Sequence, residues 1–148
     1  MYDDPKYELK TPSGTEEWQA YHDIRRKVLF ENRGRFGVYD ESHPDERREG
    51  NHPLLLFLGG KAIGVIRVDV NGNQAIFRRV AICEDLQRVG HGRVLLTLAE
   101  SFAQSKGCSQ IWSDVAPDAV GFYERCGYTF VPSAPMVGAN ISMQKKLA

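Results

Sequence analysis

Cysteine is scarce in this chain, long apolar runs are missing, and neither sign of charge is in excess. The three cysteines (Cys83, Cys108 and Cys126) are scattered and odd in number, so they predict neither a disulfide framework nor a zinc-binding CxxC pair. The longest apolar run, residues 54–58, is too short to span a bilayer. Lysine plus arginine and aspartate plus glutamate number 19 each, which argues against binding nucleic acid through overall charge.

Signals for export and for metal binding are also missing. Residues 1–6, Met-Tyr-Asp-Asp-Pro-Lys, lack an apolar core, so we expect no signal peptide and a cytoplasmic protein without membrane partners. The four histidines have no metal-binding spacing, and we expect no metal. The 148 residues, 42% hydrophobic and 26% charged, are typical of one globular domain covering residues 1–148.

Periodicity and turn signals predict an α/β (α+β) fold. Helical spacing predicts helices over residues 14–30, after a capping box of Ser13 and Glu16, and over residues 90–106 and 117–125. Gly59-Gly60 and Asn71-Gly72 predict two hairpin turns within an antiparallel meander. The predicted strands cover residues 7–10, 54–58, 62–69, 74–83, 110–115, 128–131 and 141–147. The order β-α-βββ-α-β-α-ββ predicts a mixed sheet with helices on both faces.

A glycine-containing turn lies where a predicted strand gives way to a helix. Residues 87–92 read Gln-Arg-Val-Gly-His-Gly. A helix start leaves about four backbone N–H groups without intrahelical partners and is electropositive. Glycine at 90 and 92 would let a phosphate approach these amides, and the pattern therefore predicts a pyrophosphate cradle. A strand-to-helix turn that only needs flexible residues would show the same spacing. A P-loop is excluded because Ala62 follows Gly60-Lys61, and a dinucleotide fingerprint because Leu95 replaces the third glycine.

Two motifs together resemble the GNAT superfamily of acyl-CoA-dependent N-acetyltransferases. Residues 87–92 match Gln/Arg-x-x-Gly-x-Gly/Ala, and residues 119–128, Ala-Val-Gly-Phe-Tyr-Glu-Arg-Cys-Gly-Tyr, match Ala-x-x-Phe-Tyr-Glu-x-x-Gly-Phe/Tyr. The resemblance implies an enzyme that moves the acetyl group of acetyl-CoA to a primary amine of a small molecule or peptide by direct attack. The alternative is a non-catalytic acyl-CoA-binding sensor or interaction module, which loss of Tyr123 would have favoured. The identity of the amine and the formation of a homodimer are left open.

The resemblance also implies which residues bind the cofactor. Backbone groups of Val80, Ala81 and Ile82 are expected to pair with the pantetheine arm. The pyrophosphate is expected at the amides of Gln87, Arg88, Val89, Gly90, His91, Gly92 and Arg93. One departure is Ala116, which stands where many members carry a cofactor-contacting asparagine.

Catalytic roles follow from the same resemblance. Tyr123 matches the tyrosine that protonates the departing thiolate as a general acid. The base is left open between Asp114 and Glu84, acting directly or through water, with Asp114 preferred because relatives use an acidic residue on that strand. A backbone amide around residues 80–82 can stabilise the oxyanion that forms when the amine attacks the thioester carbonyl. The long polar segment, residues 31–53, is expected to form the wall on the side of the acceptor amine.

Overall fold

A mixed sheet of seven strands forms the centre of the described structure. The computed structural model describes residues 6–132 and 140–147. The order across the sheet is β1-β2-β3-β4-β5-β7-β6, and every neighbouring pair is antiparallel except β4 and β5, which are parallel. The strands are β1 (Tyr7–Lys10), β2 (Asn51–Leu58), β3 (Lys61–Asn71), β4 (Gln74–Ile82), β5 (Gln110–Val115), β6 (Thr129–Phe130) and β7 (Ile141–Lys146). The predicted order of elements is confirmed.

Three α-helices accompany the sheet within the described residues. They are α1 (Gly14–Ile24), which a π-helical stretch continues through Arg25–Phe30, α2 (His91–Ser105) and α3 (Val120–Arg125). The predicted capping box is wrong in two respects. The backbone N–H and the hydroxyl of Ser13 donate to Glu17 rather than to Glu16, and the Ser13 side chain accepts no hydrogen bond from the helix amides. None of the helices in the described part of the chain is long and apolar enough to cross a membrane.

The sheet is buried on both faces. Alternate residues of β2 point to opposite sides, as the strand pleat requires: Leu54 and Leu56 pack in one core cluster, Leu55 and Phe57 in the other. The first cluster includes buried residues of α2 and the second those of α1. The uninterrupted apolar run of residues 54–58 therefore marks a strand with helices on both sides, and the predicted two-sided packing is confirmed.

The polar segment is shorter than predicted because β2 begins at Asn51, not at Leu54. Asn51, His52 and Pro53 pair with Asp69, Val68 and Arg67 of the long strand β3. The polar composition concealed this extension, which depends on the partner strand and not on local hydrophobic alternation.

The sheet opens between β4 and β5. These strands pair from Gln74–Gln110 to Phe77–Ser113, and beyond Phe77 β4 continues beside β3 while β5 pairs with β7. Just past this point β4 carries a bulge, since Arg78 pairs with Arg67 but Ala81 pairs with Val65. The extra residue lies at Arg79, which has a φ of +58°.

Candidate active site

The bulged half of β4 has an open backbone edge. Ala81 and Ile82 pair with β3 on one side, and no described strand pairs with residues 78–82 on the other. The Ser113 hydroxyl donates to the carbonyl of Phe77 at 3.3 Å, at the last pair before the strands separate. The structure thus brings Val80, Ala81 and Ile82 to an edge where an extended ligand can pair with the backbone.

The glycine turn follows this edge directly. Gln87 Nε2 donates to the carbonyl of Ile82 at 2.9 Å, which ties the turn to the end of β4. Arg88 and Gly90 both have left-handed backbone, with φ of +67° and +99°. Gly90 is the N-cap of α2, and no side chain of the described residues caps it. The first amides of α2 therefore lie next to the open edge without side-chain partners.

The residues around the two glycines have different surroundings. A Cβ at Gly90 would meet nothing within 4 Å, whereas one at Gly92 would lie 3.1 Å from the ring of Phe122. The His91 side chain faces β1, with Nδ1 2.7 Å from the hydroxyl of Tyr7. Val89 is 69% exposed, and Arg93 Nη2 donates to the carbonyl of Arg125 at 3.4 Å. Position 92 therefore requires glycine because Phe122 packs against it, a contact that the spacing of the motif did not reveal.

Tyr123 lies in the core beneath the open part of the sheet. It is 6% exposed, and its ring makes edge contacts with Phe122 and Tyr128. Burial raises the pKa of Tyr123 to about 12, with an opposing effect from the Ser113 hydroxyl. The phenol is therefore protonated at neutral pH and is positioned toward Ser113, where β4 and β5 separate.

A cavity of about 660 Å³ occupies the opening on the side of the polar segment. Residues of the segment, including Tyr39 and Glu46, form one wall, and Arg78, Arg79 and Asp114 of β4 and β5 form another. This volume lies in the range of about 300–1,000 Å³ typical of small-molecule sites. The polar segment thus lines a cavity beside the bulge of β4 and the carboxyl end of β5.

Buried ion pairs hold that wall in place. Glu46 accepts hydrogen bonds from Arg25 and Tyr21 and lies 3.4 Å from Arg67. Burial alone would raise the pKa of Glu46, but Arg25, Tyr21 and Arg67 together lower it below its ordinary value. Arg67 also binds Asp69 through two hydrogen bonds of 2.7 and 2.9 Å. These buried charged groups anchor the segment to the sheet.

The two candidate bases lie in different places. Asp114 lines the cavity, 3.8 Å from Arg78, and accepts a hydrogen bond from Ser142 at 3.1 Å. Glu84 is exposed, follows β4 in a 3₁₀ turn, and accepts a hydrogen bond from Asn32 at 2.9 Å. Only Asp114 of the two is among the residues that line the cavity.

Sequence patterns did not single out Arg35 or Arg79, which both line the cavity. Arg79 is placed by the bulge and Arg35 by the polar segment, and both cations lie over the ring of Phe30. Two adjacent arginines, Arg78 and Arg79, lie within a predicted strand, and this was the signal that could have indicated the bulge. In a regular strand neighbouring side chains point to opposite faces, and a bulge can turn both toward the same side.

This sheet, opened at β4 and β5 beside an uncapped helix start, has the architecture of acyl-CoA N-acyltransferases. An acyl-CoA N-acyltransferase from Pseudomonas aeruginosa superposes with a TM-score of 0.79 at 17% identity, over 96% of this chain and 99% of that one. The PaiA N-acetyltransferase from Thermoplasma acidophilum, solved with coenzyme A, gives a TM-score of 0.72 at 18% identity, over 95% and 99%. The predicted fold class is confirmed.

Sequence comparison identifies the family. The profile of the Acetyltransferase (GNAT) family matches residues 7–128, and the chain belongs to this family. A candidate acetyltransferase of Bacillus subtilis is 24% identical over 125 residues, which cover 81% of this chain and 82% of the relative. The chain is accordingly an acyltransferase enzyme, as the two motifs predicted.

Proposed function

We propose that this chain transfers the acetyl group of acetyl-CoA to a primary amine bound in the cavity between residues 31–53, the bulge of β4 and the carboxyl end of β5. The observation that carries the proposal is the opening of the sheet. Its free backbone edge at residues 78–82 leads to the uncapped start of α2, and the cavity opens beside the same strands.

The chain's residues suit coenzyme A at this opening. The edge of Val80, Ala81 and Ile82 offers backbone donors and acceptors to the amide groups of the pantetheine arm. The first amides of α2, with the guanidinium groups of Arg88 and Arg93 nearby, offer an electropositive end to the pyrophosphate. Acetyl-CoA supplies the acetyl group as an activated thioester.

Asp114 is our choice for the group that accepts the proton of the attacking ammonium, directly or through a water molecule. Its carboxylate lies in the cavity wall and is held by Ser142 and Arg78. Glu84 is the second choice, since it follows β4 but does not line the cavity. A base must come within hydrogen-bond reach of the nitrogen or of one bridging water, which favours Asp114.

Tyr123 would act on the sulfur that departs. With a pKa of about 12 its phenol is a weaker acid than a thiol, whose ordinary pKa is about 8.5. Complete proton transfer to the thiolate is therefore uphill, and the main contribution of Tyr123 is a hydrogen bond that strengthens as the sulfur gains negative charge. We therefore propose that Tyr123 keeps its proton and donates a hydrogen bond to the departing sulfur, and that water protonates the thiolate.

A panel of amines assayed for acetyl-CoA-dependent thiol release tests the proposal. We expect thiol release with at least one class of primary amine and a matching N-acetylated product by mass spectrometry. Coenzyme A titrated by calorimetry provides the second measurement. Binding of coenzyme A without thiol release across amino acids, amines, polyamines and peptide N-termini would contradict the transfer reaction and favour a sensor.

A further inference from the structure

The cavity wall contains two arginines that form no ion pair with any described carboxylate. Among the described residues, six arginines and five carboxylates line the cavity. Four of these arginines lie within 4.0 Å of a carboxylate. The other two, Arg35 and Arg79, have no described carboxylate at ion-pair distance, and the remaining acid, Asp40, accepts a hydrogen bond from the Ser42 backbone.

These two arginines converge on one aromatic ring. The guanidinium carbon of Arg35 lies 5.0 Å and that of Arg79 lies 5.5 Å from the centre of Phe30. The ring stabilises both cations through its π face, which is worth about 0.5–1 kcal/mol at an exposed site. Arg35 is one of the cations that repel Arg79, and a guanidinium group without a carboxylate partner is suited to bidentate binding of a carboxylate or phosphate.

The position of Arg79 connects this pair to the reaction. Arg79 is the left-handed residue of the β4 bulge and directly precedes Val80, at the start of the edge proposed to bind the thioester arm. The Arg79 residue is exposed to solvent, but partial desolvation of its guanidinium group and repulsion from Arg25, Arg67, Arg35 and Arg78 lower its pKa. A left-handed conformation is unfavourable for a residue with a Cβ, and it persists here because the bulge imposes it.

We infer that the acceptor is a small amine that also carries an oxyanion group, a carboxylate or a phosphate, which Arg79 and Arg35 bind. This inference depends on the proposed transfer function and specifies its substrate class. A guanidinium group binds either oxyanion through paired hydrogen bonds. The same positive field disfavours a polyamine, and it also disfavours the charged ammonium form of the substrate, which helps the nitrogen lose its proton.

Matched amine pairs provide the test. The wild-type enzyme is assayed with glycine against methylamine and β-alanine against propylamine for the carboxylate arm, and with O-phosphoethanolamine against ethanolamine for the phosphate arm. We expect kcat/KM to favour the anionic member of at least one pair, and the favoured arm identifies the oxyanion.

Variants then assign the preference to the two arginines. R79Q and R35Q should each reduce the ratio of kcat/KM for the anionic amine to kcat/KM for the neutral amine about 10- to 100-fold, mainly through the KM of the anionic amine. R79K should retain a larger part of the preference because it keeps the charge. The control is R33Q, which removes an exposed arginine of the same segment that does not line the cavity.

Calorimetry with the anionic amine and coenzyme A-loaded protein gives a readout independent of turnover. Binding that R79Q weakens and R33Q does not supports the inference even if no amine of the panel is acetylated. Equal rates for both members of every pair would overturn the inference while leaving the proposed transfer intact. An anionic preference that survives in R79Q and R35Q would also overturn it, and so would the absence of both turnover and binding with every anionic amine.

Discussion

Phe122 packs so closely against Gly92 that a Cβ at position 92 would lie 3.1 Å from the Cζ atom of its ring. This contact joins the two motifs, since Gly92 ends the first and Phe122 belongs to the second. Helix α2 can therefore approach α3 only where the side chain is missing. The neighbouring Gly90 has a different requirement, because its φ of +99° and not its surroundings excludes a side chain.

The substitution G92V should destabilise the fold by about 1–3 kcal/mol, because the added methyl groups meet the Phe122 ring. Adding F122A should remove that clash, so the double variant should lose less than the sum of the two single losses. Denaturant unfolding of the four proteins measures the coupling. In the folded double variant, coenzyme A affinity by calorimetry should still be reduced; unchanged affinity would contradict the cradle at residues 87–93.

The proposed role of Gly90 in coenzyme A binding can be separated from its effect on backbone stability. G90A forces a Cβ into left-handed backbone and should destabilise the protein by about 1–2 kcal/mol. Gly107 is the matched control, since its φ is +88° and a Cβ there also meets nothing within 4 Å. G90A and G107A should lose similar free energies of unfolding, and only G90A should weaken coenzyme A binding. Equal coenzyme A affinities for the two variants would place the pyrophosphate elsewhere.

Y123F removes one hydroxyl and retains the ring that packs against Phe122 and Tyr128. The value of kcat should fall about 10²–10³-fold if the departure of sulfur limits the rate, with coenzyme A affinity near that of the wild type. The fall should be smaller for an acyl donor with a less basic leaving group. Y128F is the control, because it removes a buried hydroxyl, bonded to Glu100, from the same aromatic cluster. Wild-type kcat in Y123F would assign the tyrosine a packing role only.

E46Q should destabilise the protein by about 3 kcal/mol, because Arg25 would remain buried without an anion and Arg67 would keep only Asp69. Since the pKa of Glu46 is lower in the folded protein than its ordinary 4.5, its stabilising effect is complete above pH 4.5 and is lost as the pH falls below that value. Stability curves of the two proteins should therefore converge in acid. E41Q, at an exposed partner of Arg26, should change stability by less than about 1 kcal/mol. Parallel curves for E46Q and wild type would contradict the ion-pair assignment.

Of the aromatic residues in the polar segment, Tyr39 lines the cavity and Phe36 does not. Y39A should therefore raise the acceptor KM several-fold more than the KM for acetyl-CoA, since it removes part of the cavity wall and the contact with His22. F36A is the control, because Phe36 is 71% exposed. Steady-state kinetics with both substrates varied measures the two KM values in Y39A and F36A. A larger effect of Y39A on acetyl-CoA would move the acceptor site away from this cavity.

Local sequence patterns determined the order of the elements, the two-sided burial of the sheet and the motifs that identify the family. Strand and helix periodicities and glycine turns are short-range signals, so residues 54–58 and 87–92 could be interpreted in isolation. Because these signals are short-range, a prediction that depended on contacts with another element was wrong. The start of β2 at Asn51 depended on pairing with β3, and the capping partner of Ser13 differed by one residue.

The tertiary structure alone determined the shape of the sheet opening and the charges that line the cavity. The separation of β4 from β5 and the bulge at Arg79 follow from how three strands share their hydrogen bonds. Whether an arginine is neutralised depends on carboxylates distant in sequence. Glu46 reaches Arg25 and Arg67, while Arg35 and Arg79 lie near Phe30 without an ion pair to any carboxylate in the described part of the chain. Composition gives the zero net charge of the chain, but only folding places the unpaired positive charges together, because electrostatic interactions act through space and are screened within about 10 Å.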